Sequence, residues 1–284
     1  MIIIRITGGL GNQLFQYAAA KCLAEQNQTI VKLDIKSFNE DQLRNFDLYE
    51  MNDTFHIASD EEIGVYKAVN SPQRVWQYLK PYPRKTFYKQ PFFHYDKSFL
   101  RLGPPLYLRG YFQSEKYFAP IQQTIRQCYQ LKPERTENVK PLVSELTARN
   151  SIALHIRRGD YKNTETAAYH GILPISYYQQ AIQLAQQRIL NPHFYIFSDD
   201  SAWAEKNLDL PNSTIISGVL SHTHFEDLFL MQHCRHNIIA NSSFSWWGAW
   251  LNRNPDKTVI APKAWFYKGP QDTQDLLPAG WISL

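Results

Sequence analysis

From residue 151 onward the chain repeats one cycle, a short apolar run rich in β-branched and aromatic residues followed by a longer stretch with helical spacing. The runs 151–156, 193–197, 214–216, 237–241 and 258–260 alternate with helical stretches at 176–190, 201–208, 225–235 and 245–252. Strands that are apolar throughout and separated by helices predict a parallel, doubly wound sheet, because each crossover helix must cover a sheet face. The helix from Ser176 has capping-box spacing to Gln179 and sets Ile175, Tyr178, Ile182, Ala185 and Ile189 on one stripe.

The beginning of the chain has the same grammar. A β-branched run at 2–6 precedes Gly8-Gly9-Leu10-Gly11-Asn12, a helical stretch to about residue 25 follows, and a second strand is expected at 29–34. Between these α/β halves, residues 132–138 are polar and contain Pro133, which sets a boundary within 132–150 and two expected domains, 1–145 and 146–284. A length of 284 residues accommodates two cores, and 44% hydrophobic against 20% charged residues excludes disorder as the default state. Ligand is expected in the cleft between the halves, at the carboxyl ends of the strands.

Charge is distributed unevenly. Nine Lys and Arg stand against two acids between Arg74 and Lys116, about +7, in a chain whose net charge is +4. That stretch is also dense in aromatic residues and proline, which suggests an irregular surface able to meet a carbohydrate, or nucleic acid, although no RNA-binding signature accompanies it. Cys22, Cys128 and Cys234 are odd in number and widely spaced, the pattern of free thiols in a reducing compartment. No apolar run is long enough for a membrane span, so a cytoplasmic protein without a transmembrane segment is expected.

The candidate chemistry sits where strands run out. Arg157 and Arg158 follow the run SIALHI, and guanidinium forks suit a phosphate or pyrophosphate. Strand alternation places Arg157 with His155. A scaffold ion pair is the competing reading of either arginine. Gly9, Gly11 and Asn12 lie where backbone N–H groups and a helix N-terminus bind phosphate. Taken as a dinucleotide fingerprint the same loop would place bulky Leu14 at the third glycine and use Asp34 for the ribose, which leaves a nicotinamide-dependent oxidoreductase as an alternative.

Asp199 and Asp200 follow a further strand and could hold a divalent metal, accept from a ribose or base, or simply start a helix; Glu226 and Asp227 open a helix in the same way, and since adjacent side chains diverge neither pair makes a two-carboxylate metal clamp. Ser242 and Ser243 supply hydroxyls and N–H groups at a strand-to-helix turn, whereas Trp246, Trp247 and Trp250 are expected in the core. The histidine pairs match no closed zinc site, and no metal is expected.

Four stretches in order, Gly8-Gly9-Leu10-Gly11-Asn12-Gln13-Leu14-Phe15-Gln16, Gly110-Tyr111-Phe112-Gln113-Ser114-Glu115-Lys116-Tyr117-Phe118, His155-Ile156-Arg157-Arg158-Gly159-Asp160 and Asn241 to Trp250, resemble glycosyltransferase family 11. The third resembles the HxRRxD signature of α1,2- and α1,6-fucosyltransferases and protein O-fucosyltransferases. The resemblance implies a GT-B architecture, two facing Rossmann-like domains, with GDP-fucose held chiefly by the second and the first on the acceptor side. It implies that Arg157 binds the β-phosphate, His155 contacts the nucleotide, Asp227 reads guanine, Asp199 and Asp200 contact the nucleoside, and Ser242 and Ser243 contact phosphate. It further implies inverting transfer of L-fucose to the 2-hydroxyl of a terminal galactose, with no obligatory metal or other cofactor. Asp160 and Glu165 are the candidate general bases, and either could instead be an ion-pair partner of the arginines. A bacterial enzyme of surface-glycan assembly, with peripheral association at the inner membrane left open, is the expected setting.

Overall fold

The computed structural model describes residues 1–41, 43–67, 79–158, 169 and 171–284. It divides into one unit of residues 1–130 with 272–278 and a second of 131–271 with 279–284. The division falls earlier than the expected 145/146. Val139 and Leu146, taken from sequence as linker and domain edge, are buried against Ala153, Tyr195, Phe197 and Met231 of the second unit. A polar stretch that carries apolar residues at helical spacing is here a packing element.

In the first unit the elements are β1 (Ile2–Arg5), α1 (Leu10–Gln26), β2 (Val31–Asp34), β3 (His56–Ile57), α2 (Asp60–Lys67), β4 (Phe87–Lys89), β5 (Leu106–Arg109) and α3 (Gln122–Cys128). The strands form one sheet in the order β3-β2-β1-β5-β4, and each neighbouring pair is parallel. Central β1 buries Ile2, Ile3 and Ile4 completely.

The aromatic residues expected at a surface mostly turn inward. Tyr88, Phe99, Phe112 and Tyr117 interlock with ring centroids between 4.8 and 6.4 Å apart. The hydroxyls of Tyr82 and Tyr88 each donate to Oδ2 of buried Asp96 over 2.7 Å. Two phenols thus answer a buried carboxylate, and burial followed by those bonds raises the phenol pKa of each.

In the second unit the elements are α4 (Leu142–Ala148), β6 (Ser151–Ile156), α5 (Ile175–Arg188), β7 (His193–Ser198), α6 (Ser201–Asn207), β8 (Ser213–Ile215), α7 (His224–His233), β9 (His236–Ile238), α8 (Ser243–Leu251), β10 (Val259–Ala261) and β11 (Ile282–Ser283). The expected strands and helices are all present. The short β11, absent from the sequence reading, pairs its two residues with β10.

All strand pairs here are parallel, in the order β11-β10-β9-β6-β7-β8. Counted from β6 this is the doubly wound order 3-2-1-4-5-6. Alternate residues feed opposite faces: Ile152, Leu154, Ile156, Phe194 and Ile196 pack with the α5 stripe, while Ala153, Tyr195 and Phe197 pack on the other side. Both faces are covered, as the apolar strands require.

Candidate functional site

In this doubly wound sheet the chain runs outward from β6 through β7 to β8, then crosses back to add β9 on the other side of β6, and the crevice at that switch point is where ligands bind. Arg157 and Arg158 stand at the end of β6. Asn241, Ser242 and Ser243 stand just beyond β9, with Ser242 immediately before α8.

Arg157 forms an ion pair with Asp199, beyond β7, Nε lying 3.1 Å from Oδ2, with side-chain exposures of 21% and 24%. The other oxygen of Asp199 accepts from the Arg158 backbone N–H at 2.8 Å. One carboxylate therefore holds both the side chain of one arginine and the backbone of the next. The sequence reading assigned Asp199 to a nucleoside; the structure engages both its oxygens with the arginine segment, the scaffold pairing that was the competing reading of the arginines. Arg158 lays its guanidinium over the Trp203 ring, 4.0 Å from the centroid, while its Nε is buried without a hydrogen-bond partner among the described residues. Adjacent arginines diverge, as an extended chain dictates.

His155 is 4% exposed, its Nδ1 has no hydrogen-bond partner among the described residues, and its ring centroid lies 5.9 Å from that of Phe244. Burial first, then the charge of Arg157, lowers its pKa to about 3. The imidazole is therefore neutral at physiological pH and able to accept or donate one hydrogen bond without adding charge. Its folded-state pKa lies below the unfolded value near 6.5, so as pH falls through that value the unfolded chain binds a proton the folded one refuses. Between about pH 6 and pH 4, His155→Phe is expected to flatten the loss of stability by roughly 1 kcal/mol per pH unit; parallel urea titrations of wild type and variant measure this. Equal slopes would remove His155 from the acid response.

Asp200 has the structural role weighed for it from sequence. It is the N-cap of α6, accepting from the Trp203 N–H at 3.3 Å. Asp227 accepts from Ser217 Oγ at 2.7 Å and from Ser221 Oγ, and Ser217 Oγ in turn accepts from the Ser198 N–H at 3.0 Å. Burial raises the Asp227 pKa against the pull of those two hydroxyls. The two serines escaped the sequence reading, since nothing in their local pattern marks them. Ser242 makes no side-chain cap of α8. Asn241, the first residue of the fourth motif, donates through Nδ2 to Gly171 O at 3.1 Å and Trp265 O at 3.2 Å, tying three loops together at this edge. Asp160 and Glu165 lie outside the described residues.

The first unit has its own switch point, between β1 and β5. Gly9 precedes α1, Gly11 is buried, and Asn12 Oδ1 accepts from Gln113 Nε2, which follows β5, at 2.6 Å. Gln13 donates to Gly8 O and Asn45 O, both at 2.8 Å, and Gln16 Oε1 accepts from the Thr7 N–H at 3.0 Å. Two glutamines inside a helix thus fasten the glycine loop.

Gly8 has φ of +80°, and an added Cβ would lie 2.8 Å from Asn12 Nδ2. Gly8→Ala is expected to cost about 1–2 kcal/mol of unfolding free energy from the left-handed backbone alone and to displace Asn12, read by denaturant unfolding.

Asp34 is 1% exposed, accepts from Tyr107 OH at 2.6 Å and from the Lys36 N–H at 3.1 Å, and so is built into the interior. Leu14 is fully buried where a dinucleotide loop needs its third glycine. Both observations weigh against the oxidoreductase alternative.

Fold and site together define an α/β protein with two parallel Rossmann-like sheets and a cationic, polar switch point of the kind that holds nucleotides. The sequence profile of glycosyl transferase family 11 matches residues 1–284, and the chain belongs to that family; it is a glycosyltransferase. It is 30% identical to an alpha-1,2-colitosyltransferase of Escherichia coli, over 100% of this chain and 99% of that one. It is 33% identical to the O-antigen biosynthesis glycosyltransferase WbnK of Escherichia coli, over 98% and 99%. Galactoside alpha-(1,2)-fucosyltransferase 2 of Pongo pygmaeus is 23% identical over 87% of this chain and 68% of that one. Among solved structures, POFUT1 in complex with GDP-fucose superposes with a TM-score of 0.53 at 11% identity, covering 92% and 97% of the two chains, a likeness of fold that accords with GT-B. Among the described residues no helix is long and apolar enough to cross a membrane.

Proposed function

We propose that the protein transfers L-fucose from GDP-β-L-fucose to the 2-hydroxyl of a terminal galactose, with inversion and without an obligatory metal. The observation that carries the reading is Arg157, a permanent cation held at the end of β6 by Asp199, at the switch point of the nucleotide-binding type of sheet. Transfer breaks the bond between the anomeric carbon and a phosphate oxygen, and negative charge grows on the departing GDP. A fixed guanidinium and the N–H groups opening α8 stabilise that charge more in the transition state than in the ground state. Neutral His155 adds a hydrogen-bonding nitrogen beside them. The galactose oxygen forms its new bond on the opposite face of an oxocarbenium-like sugar and gives up its proton, for which Asp160 or Glu165 is the proposed acceptor.

The alpha-1,2 linkage in the names of two relatives supports the regiochemistry, and the galactoside named in one of them supports the acceptor. The colitosyltransferase relative also favours a second reading of the donor, a nucleotide-activated colitose, the sugar that lacks the 3-hydroxyl of fucose. Incubation with lactose and either GDP-fucose or GDP-colitose, in EDTA, decides between them by the ratio of kcat/KM. A 2-fucosylated trisaccharide is the expected product. Absence of transfer from either donor to any galactoside, by a folded protein whose melting temperature GDP raises, would refute the reading.

A further inference from the structure

The inward turn of the first unit's aromatic cluster directs attention to rings that remain exposed. Tyr267 is 73%, Tyr169 45% and Ile172 41% exposed, and all three belong to the carboxyl edge of the second sheet. Their support is stiff. The backbone N–H groups of Tyr267 and Lys268 both donate to Tyr169 O, at 3.0 and 3.1 Å. Gly171, with φ of +77°, lets the two loop segments of this ledge close together, since a Cβ there would lie 3.0 Å from the Tyr267 Cβ. The Phe266 ring meets Tyr169 edge-on with centroids 5.5 Å apart. Beneath them Asn241 donates to Gly171 O and to Trp265 O, so the ledge is continuous with the Asn241–Ser242–Ser243 turn at the site.

We propose that this ledge binds the acceptor glycan, with Tyr267 and Tyr169 as specificity-determining residues that stack on its apolar sugar faces. The inference rests on the glycosyltransfer reading above. Pyranose rings present C–H faces to aromatic rings, and a tyrosine offers a large rigid face with only two side-chain torsions to immobilise on binding. Three features select a glycan as occupant. The ledge adjoins the proposed phosphate-contacting turn through a shared asparagine, it lies on the β9–β10 side of the switch point, and the Arg157–Asp199 pair occupies the β7 side. A sugar chain spanning from a reacting galactose toward this edge would meet these rings.

The test uses the full chain with lactose as probe. Tyr267 is largely exposed and the bonds between Tyr169 and residues 267 and 268 are made by backbone atoms, so Tyr267→Ala and Tyr169→Ala keep those backbone bonds, Tyr169→Ala losing in addition the ring contact with Phe266. Each is expected to raise the acceptor KM about two- to tenfold, with the GDP-fucose KM and the thermal shift by GDP unchanged, and Tyr267→Phe is expected to behave as wild type. Saturation-transfer NMR of lactose on the GDP-bound protein should weaken in the alanine variants. An unchanged acceptor KM in both alanine variants, or an equal rise in the donor KM, overturns the ledge while leaving the enzymatic reading intact. Loss of binding to anionic lipid vesicles with unchanged acceptor kinetics would assign the rings to a membrane surface and likewise overturn it. If wild type transfers to no galactoside, a glycan panel replaces lactose in the NMR experiment. A Tyr267-dependent signal then upholds the ledge without the galactoside, and its absence across the panel rejects it.

Discussion

Replacing Arg157 with Ala is expected to lower kcat about 10²–10³-fold while the melting temperature changes by only a few degrees. The guanidinium is only partly exposed and is oriented through Nε by a carboxylate 42 residues further along the chain. Removing it takes away a pre-positioned cation at the proposed leaving group and leaves Asp199 still accepting from the Arg158 backbone. Arg157→Lys should recover little, because a lysine ammonium is a point charge that cannot pair along one edge and serve phosphate along another. Asp199→Asn provides the companion measurement. It keeps the shape and weakens the hold on Arg157, so roughly a tenfold loss in kcat is expected, with much less effect in the Arg157→Ala background. Single-turnover rates with GDP-fucose separate these effects on chemistry from effects on binding. Near-normal turnover of Arg157→Ala would remove the leaving-group role.

The second large effect is on stability. Trp246 is fully buried, stacked 6.2 Å from Trp250 and packed at 5.0 Å from Trp247 and 5.5 Å from Trp281. It lies one turn into α8, whose first residues form the turn beyond β9. Trp246→Ala is expected to destabilise the protein by about 3–5 kcal/mol through lost burial and the cavity left behind. Since α8 also presents the proposed phosphate-contacting turn, the variant should bind GDP more weakly where it is still folded. Urea unfolding with and without GDP measures both, and a loss below about 1 kcal/mol would show that the site collapses around the missing ring.

The two arginines illustrate how far local pattern reaches. Their placement at a strand end, and their divergence, follow from the apolar run before them and from the two-residue period of an extended chain. That Asp199 would answer Arg157 was not legible, because the two are 42 residues apart in the chain and only the register of β6 against β7 brings them to 3.1 Å. Likewise Asp227 was recognisable as an acid in the first turn of a helix, whereas Ser217 and Ser221 reach it from a loop whose path is set by β8.

By itself the sequence determined the alternating strands and helices, the buried tryptophans of α8, the glycine loop opening α1 and the family, since periodicity and short motifs are properties of neighbours along the chain. Tertiary structure alone decided the boundary at 130/131, the inward turn of the Tyr88–Phe99–Phe112–Tyr117 rings, the pairing of Asn12 with Gln113 and the exposure of Tyr267 on its ledge. Burial and hydrogen-bond partnership depend on what the folded chain brings near from far away, and an aromatic residue or a carboxamide looks the same in sequence whether its partner is water or the core.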